Sequence, residues 1–221
     1  MTNPRARMVE EHLARRGIRD PRVLAAFLDV PRERFLSDDL RALAYDDGPL
    51  PIGDGQTISQ PYIVAYTVEA LGLGGEERVL EVGTGSGYAA AILARVASRV
   101  FTIERLPGLA RVAKERFAAL GFTNVETATG DGSLGWPEHA PYDAIAVAAS
   151  GPVAPPSLLQ QLAPGGRLVM PIGRSPTLQE LVRITRGTSS FHEERLTHVR
   201  YVPLIGAEAW ADPAPAGAPR G

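Results

Sequence analysis

The sequence predicts an α/β fold with a doubly wound, mostly parallel sheet, an N-terminal helical cap and C-terminal edge strands. Two observations carry this prediction. Between residues 75 and 173, short apolar runs alternate with segments of helical period, which is typical of a parallel sheet covered on both faces. The chain has 221 residues, enough for one such domain with additions but too few for two large domains.

The residues before the sheet predict a cap and a loop. Apolar residues at helical spacing, a stop at Gly17 and a new start at Asp20-Pro21 predict helices over residues 1–44. Residues 45–62 are rich in Gly and Pro and predict a long structured loop, followed by a helix from Ile63 to Leu71. Long structured loops often carry function.

The sheet itself follows in order. Predicted strands cover 78–82, 100–104, 125–129, 143–149 and 167–172, and predicted helices cover 88–97, 108–121 and 155–163. Further strands at 180–186 and 195–204 belong to a C-terminal unit, 178–206, at the edge of the sheet. We therefore expect a single domain over 1–210. Residues 211–221, mostly Pro, Ala and Gly, predict a disordered tail.

Composition excludes several function classes. The 23 basic and 25 acidic side chains give a net charge of -2, which does not indicate a nucleic-acid partner. The sequence has no Cys, which excludes disulfides and thiolate catalysis, and its four His residues show no metal-ligand spacing. No segment has the length or apolarity of a membrane span or a signal peptide, so we expect a cytoplasmic protein.

The glycine-rich segment EVGTGSG, Glu81 to Gly87, lies between a predicted strand and a predicted helix. Glycines at 83, 85 and 87 let the backbone approach a nucleotide-like ligand closely. Glu104 ends the next strand, 21 residues after Gly83, where a carboxylate can accept hydrogen bonds from two ribose hydroxyls. Dinucleotide dehydrogenases and methyltransferases share both features, and a turn that merely joins a strand to a helix is the alternative.

Two details favour a methyltransferase. Tyr88 stands where a dinucleotide-binding loop has its third glycine, which disfavours a pyrophosphate ligand. The acidic Glu81 would repel a phosphate but suits the ammonium and sulfonium groups of S-adenosylmethionine. After the third strand, Asp131 in Gly130-Asp131-Gly132 can accept the adenine amino group, although an Asp that caps a turn is an alternative.

The segment after the fourth strand bears on the acceptor. A methyltransferase acting on an amino group would show Asn or Asp followed by Pro-Pro and an aromatic residue, whereas this chain has AVAASGPVAPP. The sequence therefore favours an oxygen or carboxylate acceptor.

The chain closely resembles the protein-L-isoaspartate O-methyltransferase family over residues 18 to 206. The resemblance rests on the segments DPRVLAAF, VPRERF, LAYDDGPLPIGDGQTISQPYIVA, VLEVGTGSGYAAAILA, PYDAIAVAA, LAPGGRLVMPIG and VRYVPLIG. It implies S-adenosylmethionine as the only cofactor, a cytosolic damage-repair role, and isoaspartyl-containing proteins and peptides as partners. We also expect a monomer with no nucleic-acid or membrane partner. Asp54 and the ASGP turn depart from the family pattern, which bears on fine substrate preference.

The resemblance also implies site residues. The implied cofactor contacts are Ile58, Gln60, Glu81, Gly83, Thr84, Gly85, Gly87, Glu104, Arg105, Asp131 and Gly132. The implied substrate contacts are Thr57, Ser59, Tyr62, Val202, Pro203 and Leu204, with Ser59 as the active-site residue. A single hydroxyl can orient one carboxylate oxygen and leave the other free to attack.

Three alternatives remain open at this stage. Ser59 could instead cap the helix that begins near Pro61. The chain could methylate an aspartate of one dedicated peptide partner, which an additional recognition domain would favour. It could also bind S-adenosylmethionine without catalysis, and the intact TISQPY segment argues against that function.

Overall fold

The computed structural model describes residues 3–175 and 178–212. Its strands are β1 Leu50–Gly53, β2 Gln56–Ile58, β3 Arg78–Val82, β4 Arg99–Glu104, β5 Val125–Thr129, β6 Tyr142–Val147, β7 Leu162–Ser175, β8 Leu178–Arg186 and β9 Phe191–Val199. Its α-helices are α1 Pro4–Met8, α2 Pro21–Asp29, α3 Pro61–Leu71, α4 Tyr88–Val96, α5 Pro107–Ala119 and α6 Pro156–Gln160. A π-helical turn, Val9–Leu13, continues α1, and 3-10 turns follow at Ala14–Arg16, Arg32–Phe35, Asp38–Leu43, Gly132–Leu134 and Pro137–His139.

Seven strands form the central sheet in the order β5-β4-β3-β6-β7-β8-β9. The first five are parallel, because β3 pairs with β4 and β6, β4 with β5, and β6 with β7 in the same direction. The last two pair antiparallel along the edge. This arrangement confirms the predicted fold class, and it brings the carboxyl ends of β3, β4, β5 and β6 to one edge.

Two apolar clusters cover the sheet faces. On one face, the cap packs aromatic rings onto α4, with the Phe27 and Phe35 rings 5.9 Å and 5.5 Å from the ring of Tyr88. On the other face, Phe101 lies 5.7 Å from Tyr142 and 6.0 Å from Trp136. Strands buried on both faces explain why their sequences are nearly continuous apolar runs.

Three predicted elements have other bounds. The helix predicted at 155–163 ends at Gln160, because Leu162 already pairs with Tyr142 and the strand passes through Pro164-Gly165-Gly166 with an irregular register. The strand predicted at 195–204 begins at Phe191 and ends at Val199, since residues 200–204 leave β8 and run beside Ser150. The predicted loop 45–62 contains the antiparallel pair β1–β2.

The hairpin between β1 and β2 explains one departure from the family pattern. Asp54 stands at its tip with φ of 50°, between Gly53 and Gly55, which also have positive φ. Asp tolerates this left-handed conformation better than most residues, so it serves the turn.

The ends of the chain limit two predictions. Residues 213–221 of the predicted tail lie outside the described residues, whereas Ala211 and Asp212 belong to no helix or strand. The single domain over 1–210 stays a prediction. No helix within the described ranges is long and apolar enough to cross a membrane.

Candidate active site

A cavity of about 280 Å³ opens at the carboxyl ends of β3, β4 and β6. It brings together twelve of the residues singled out from the sequence: Thr57, Ile58, Ser59, Gly83, Thr84, Gly85, Glu104, Arg105, Gly132, Val202, Pro203 and Leu204. These residues come from five separated segments of the chain. The parallel topology therefore gathers the predicted cofactor residues around one space, which we call the cofactor cavity.

Two glycines permit the close packing of its walls. Gly85 has φ of 52°, and a Cβ built on it would lie 3.4 Å from Ile52 Cδ1 of the hairpin. A Cβ on Gly132 would lie only 2.4 Å from Val82 Cγ1, which real structures do not show. The first glycine shapes the loop and the second lets the chain after β5 approach β3.

Glu104 holds the glycine loop from the end of β4. Its side chain is 7% exposed, and its Oε2 accepts a hydrogen bond from Gly85 N–H at 2.8 Å. Its Oε1 accepts from Leu106 N–H at 3.0 Å. Because each carboxylate oxygen can accept two hydrogen bonds, Glu104 retains the capacity to accept two hydroxyls from the cavity side. This part of the wall offers carboxylate oxygens as acceptors, which suits the hydroxyl donors of a ribose.

Glu81 lies below the cofactor cavity rather than in its wall. It is 1% exposed, and Thr102 donates to its Oε2 at 2.6 Å while Oε1 has no partner among the described residues. Burial raises the pKa of Glu81 to about 8, against the opposing Thr102 hydrogen bond and with a smaller contribution from Glu104. Without a cofactor beside it, burial therefore favours the protonated form of Glu81, and its role in cofactor binding stays a prediction.

Of the neighbours Asp131 and Gly132, only Gly132 lines the cofactor cavity. Asp131 Oδ1 accepts from Ser133 N–H and Oγ–H, and Oδ2 accepts from Ala207 N–H at 2.7 Å. Burial alone would raise the pKa of Asp131, but the hydrogen bonds from Ala207 and Ser133 together lower it. Asp131 therefore anchors the C-terminal segment, and its contact with adenine stays a prediction.

A second cavity, of about 730 Å³, is also lined by residues of the loop 45–62. Thr57, Ser59, Ala148 and Val202 line both cavities. Residues that line only the second, which we call the acceptor cavity, include Pro49, Ile63, His198, Arg200 and Tyr201. Ser59 is thus one of the four residues that separate the two cavities, and we call these four residues the partition.

The segment around Ser59 is fixed by hydrogen bonds from elsewhere in the chain. Arg32 Nη1 donates to the Ser59 carbonyl at 3.0 Å, and Arg32 Nη2 donates to the Gly48 carbonyl at 3.3 Å. Asp47 accepts from Gln60 Nε2 at 2.7 Å and from Tyr62 N–H at 3.2 Å. The N-cap of α3 is Gln60, whose own side chain makes no capping bond, and the first-turn amide of Tyr62 is taken by Asp47 rather than by Ser59. The cap interpretation of Ser59 therefore has no support.

Five predicted residues, Glu81 and Asp131 among them, do not line the cofactor cavity. Gln60 lines only the acceptor cavity and bonds Asp47. Tyr62 lines neither cavity and lies under the Arg16 guanidinium, 3.7 Å from its ring centroid. Gly87 packs against Phe117, and Glu81 lies in the sheet as described. Their roles in binding stay predictions.

The segment VRYVPLIG, residues 199–206, which we call the C-terminal cover, is held by the buried side-chain amide of Gln179. Gln179, 2% exposed, accepts from Tyr201 N–H at 2.7 Å and donates to the Tyr201 carbonyl at 3.1 Å. Ser150 N–H donates to the Val202 carbonyl, and Ser150 accepts from Leu204 N–H, both at 2.8 Å. Burial raises the pKa of Tyr201 to about 12, against the opposing effects of the Thr67 and Ser59 hydroxyls beside it.

Sequence reasoning missed Arg32, Tyr201 and Gln179. Tyr201 is inside the VRYVPLIG segment, so its position next to Val202 was an available signal. Arg32 and Gln179 act on residues 27 and 22 positions away, and no local pattern reveals such a pairing. Within the described residues, no three His, Cys, Asp or Glu side chains gather in a way that could hold a metal ion.

Comparisons with known proteins agree with this geometry. The family model described as protein-L-isoaspartate(D-aspartate) O-methyltransferase matches residues 3–209. The chain is 59% identical over 204 residues to protein-L-isoaspartate O-methyltransferase 2 of Pelobacter propionicus, covering 92% of this chain and 91% of that protein. It is 60% identical over 212 residues to protein-L-isoaspartate O-methyltransferase 1 of Rhodopseudomonas palustris, covering 96% and 86%.

Solved structures show the same similarity. One protein-L-isoaspartate O-methyltransferase superposes with a TM-score of 0.84 at 32% identity, over 93% of this chain and 67% of its own. A structure from Plasmodium falciparum, described as a putative member of this family in complex with S-adenosyl-L-homocysteine, superposes with a TM-score of 0.78 at 27% identity, over 93% and 100%. By its sequence, its fold and its relatives, this chain belongs to the protein-L-isoaspartate(D-aspartate) O-methyltransferase family.

Proposed function

We propose that this chain repairs damaged proteins by transferring a methyl group from S-adenosylmethionine to the free α-carboxylate of L-isoaspartyl residues. The observation that carries the proposal is the position of Ser59 in the partition between the cofactor cavity and the acceptor cavity. The names of the relatives at 59% and 60% identity support the same reaction.

The cofactor cavity fits S-adenosylmethionine. Glu104 offers acceptor oxygens for a ribose, the glycine loop offers backbone for close approach, and Gly132 lines the wall after β5. The Plasmodium falciparum structure holds the demethylated product, S-adenosyl-L-homocysteine, on the same fold. When bound, the cofactor supplies a methyl group on a positively charged sulfur.

The acceptor needs no catalytic base. An α-carboxyl group has a pKa near ~3.5 and is ionised at neutral pH, so its oxygen can attack the methyl carbon directly. The chain must align the two reactants and exclude water. Ser59 can donate one hydrogen bond to one carboxylate oxygen and leave the other free, whereas a bidentate Arg would occupy both.

The product chemistry explains the repair. Methoxide leaves the methyl ester far more readily than an oxygen leaves the free carboxylate, so the neighbouring backbone amide nitrogen can attack the ester carbonyl, release methanol and close a succinimide without the enzyme. Hydrolysis of that ring returns part of the residue to normal aspartate. The protein therefore has to catalyse only the methyl transfer.

The test is methyl transfer from radiolabelled S-adenosylmethionine to a peptide with one isoaspartyl residue. The same peptide with normal aspartate is the matched control. We expect base-labile methyl incorporation into the first peptide and almost none into the second. Equal labelling of both, or labelling of neither while S-adenosylhomocysteine binds, would contradict the proposal.

The same assay addresses the alternatives. Methylation of several unrelated isoaspartyl peptides would argue against one dedicated partner, and any turnover would argue against a non-catalytic binding protein. A monomer in the cytoplasm stays a prediction, which sedimentation and cell fractionation can address.

A further inference from the structure

Arg32 is a buried cation that the proposed reaction does not yet use. It is 0% exposed, at the start of the 3-10 turn Arg32–Phe35 of the cap. Within the described ranges, no carboxylate oxygen lies within 4.0 Å of its guanidinium, and its Nε has no hydrogen-bond partner. A buried charge without a paired countercharge is costly, so its position demands a physical reason.

The partners of Arg32 connect it to both cavities. Its two terminal nitrogens donate to the backbone carbonyls of Ser59 and Gly48, at 3.0 Å and 3.3 Å. Its Cζ lies 5.0 Å from the ring centroid of Tyr88, which lines the cofactor cavity. These neutral partners orient the guanidinium but leave its charge uncompensated.

The nearest negative charge does not cancel it. Burial lowers the pKa of Arg32, and Asp47 and the neighbouring tyrosines oppose that effect. Arginine nonetheless stays protonated in proteins, and the Asp47 carboxylate is already paired with Arg16. The net positive charge of Arg32 therefore acts on its surroundings.

The charge lies close to the position expected for the acceptor. The carbonyl oxygen and Oγ of one serine are at most about 4 to 5 Å apart, so the Arg32 guanidinium lies within roughly 8 Å of the Ser59 hydroxyl. The intervening protein has a low dielectric and screens this charge less than water does. An anionic acceptor beside Ser59 would supply the missing countercharge.

We infer that Arg32 is a positioning residue for the acceptor: it fixes the Ser59 backbone and makes the partition favour a carboxylate over a neutral group. This inference rests on the proposed function. It explains how the chain can select an anion without a direct Arg–carboxylate pair, which would hold both oxygens and weaken the nucleophile. The Ser59 hydroxyl then orients the acceptor carboxylate, and the positive charge of Arg32 attracts that carboxylate without a direct contact.

The test compares a charged acceptor with its neutral isostere. Affinities are measured in the presence of S-adenosylhomocysteine for an isoaspartyl peptide and for the same peptide with the α-carboxylate replaced by a carboxamide. We expect the protein to prefer the carboxylate, Arg32→Met to reduce that preference about tenfold, and Arg32→Lys to keep most of it. Arg34→Met, which removes an exposed charge from the same turn, is the control and should leave the preference unchanged.

If Arg32 had only a structural role, Arg32→Met would weaken the binding of both peptides equally. If Arg32→Met binds S-adenosylhomocysteine normally and retains the full preference for the carboxylate, the inference is wrong and the proposed function stands. If Arg32→Met does not fold, Arg32→Lys decides: a reduced kcat with the preference intact supports the inference, and a wild-type kcat or a lost preference overturns it. Failure of the unmodified protein to bind the isoaspartyl peptide would overturn the proposed function itself.

Discussion

The residues around the cofactor cavity, which form the cofactor wall, and those around the acceptor cavity, which form the acceptor wall, are held in place in different ways. The cofactor wall follows directly from the parallel ladder, in which Glu81 is in register with Thr102 on β4 and with Ala146 on β6. The acceptor wall is irregular, and side chains rather than ladders hold it, with Arg32 bonded to Ser59 and Gln179 bonded to Tyr201. The difference teaches that the cofactor site should depend mainly on the sheet, whereas the acceptor site should depend on individual long-range side-chain bonds.

The largest expected effect tests the cofactor wall. Glu104→Ala removes the acceptor for Gly85 N–H and Leu106 N–H together with the predicted ribose contact. Leaving such groups unpaired costs about 1 to 3 kcal/mol each, so we expect S-adenosylhomocysteine to bind about a hundredfold more weakly, or ~2.7 kcal/mol. Calorimetry measures this change, with the exposed Glu138→Ala as the control. Unchanged affinity would mean that the nucleotide binds elsewhere.

The next effect tests the partition between the walls. If the Ser59 hydroxyl orients the acceptor, Ser59→Ala should lower kcat/KM for an isoaspartyl peptide by about ten- to a hundredfold, or ~1.4 to 2.7 kcal/mol. Affinity for S-adenosylhomocysteine should change little, because Ala keeps the Ser59 carbonyl that Arg32 binds, and the lost hydroxyl lies beside Tyr201 of the acceptor cavity. The exposed Ser37→Ala is the control. A variant that unfolds at a lower temperature but turns over normally would remove Ser59 from the mechanism.

The same division explains what the sequence could predict. The glycine loop, Glu104 and the parallel sheet follow from local apolar runs and from the rule that parallel strands present their carboxyl ends to one edge. The charge of Glu81 could not be inferred locally, since its protonation depends on burial below the cavity. The hairpin tip at Asp54 was hidden because Gly and Pro obscure the alternation of short strands.

The acceptor wall was recognised only through the family resemblance. Thr57, Ser59 and Val202 do line the acceptor cavity, whereas Tyr62 packs on the opposite side of α3 under Arg16. Long-range side-chain to backbone bonds, such as those of Arg32 and Gln179, leave no periodic signal in the sequence. Their positions depend on the whole fold.

A smaller effect concerns the layer beneath the cofactor wall. Because the pKa of Glu81 is raised to about 8, the folded protein keeps a proton between pH 4.5 and 8 that the unfolded chain loses. This stabilisation is complete below the unfolded pKa and is lost as pH rises through the folded pKa. From pH 6 to pH 8 the parent protein should therefore lose about 2 kcal/mol of its free energy of unfolding that Glu81→Gln does not lose. Urea unfolding at both pH values measures it, and parallel changes in the two proteins would contradict it.

The smallest effect concerns the end of the described chain, where both walls meet the C-terminal cover. Trp210 secures that cover, since its Nε1 donates to the Ser150 carbonyl and its N–H to the Leu204 carbonyl, both at 3.0 Å. Asp212 also lines the cofactor cavity, but its contact with Arg105 is 3.4 Å long and both side chains are largely exposed. Exposed ion pairs contribute about 0 to 1 kcal/mol and weaken with salt.

Truncation after Trp210 should thus leave the melting temperature unchanged and weaken S-adenosylhomocysteine binding by at most about threefold, and Asp212→Asn should match it. A loss of more than tenfold in the truncated protein, with Asp212→Asn near the parent, would show that the residues beyond Asp212 contribute to the cofactor wall.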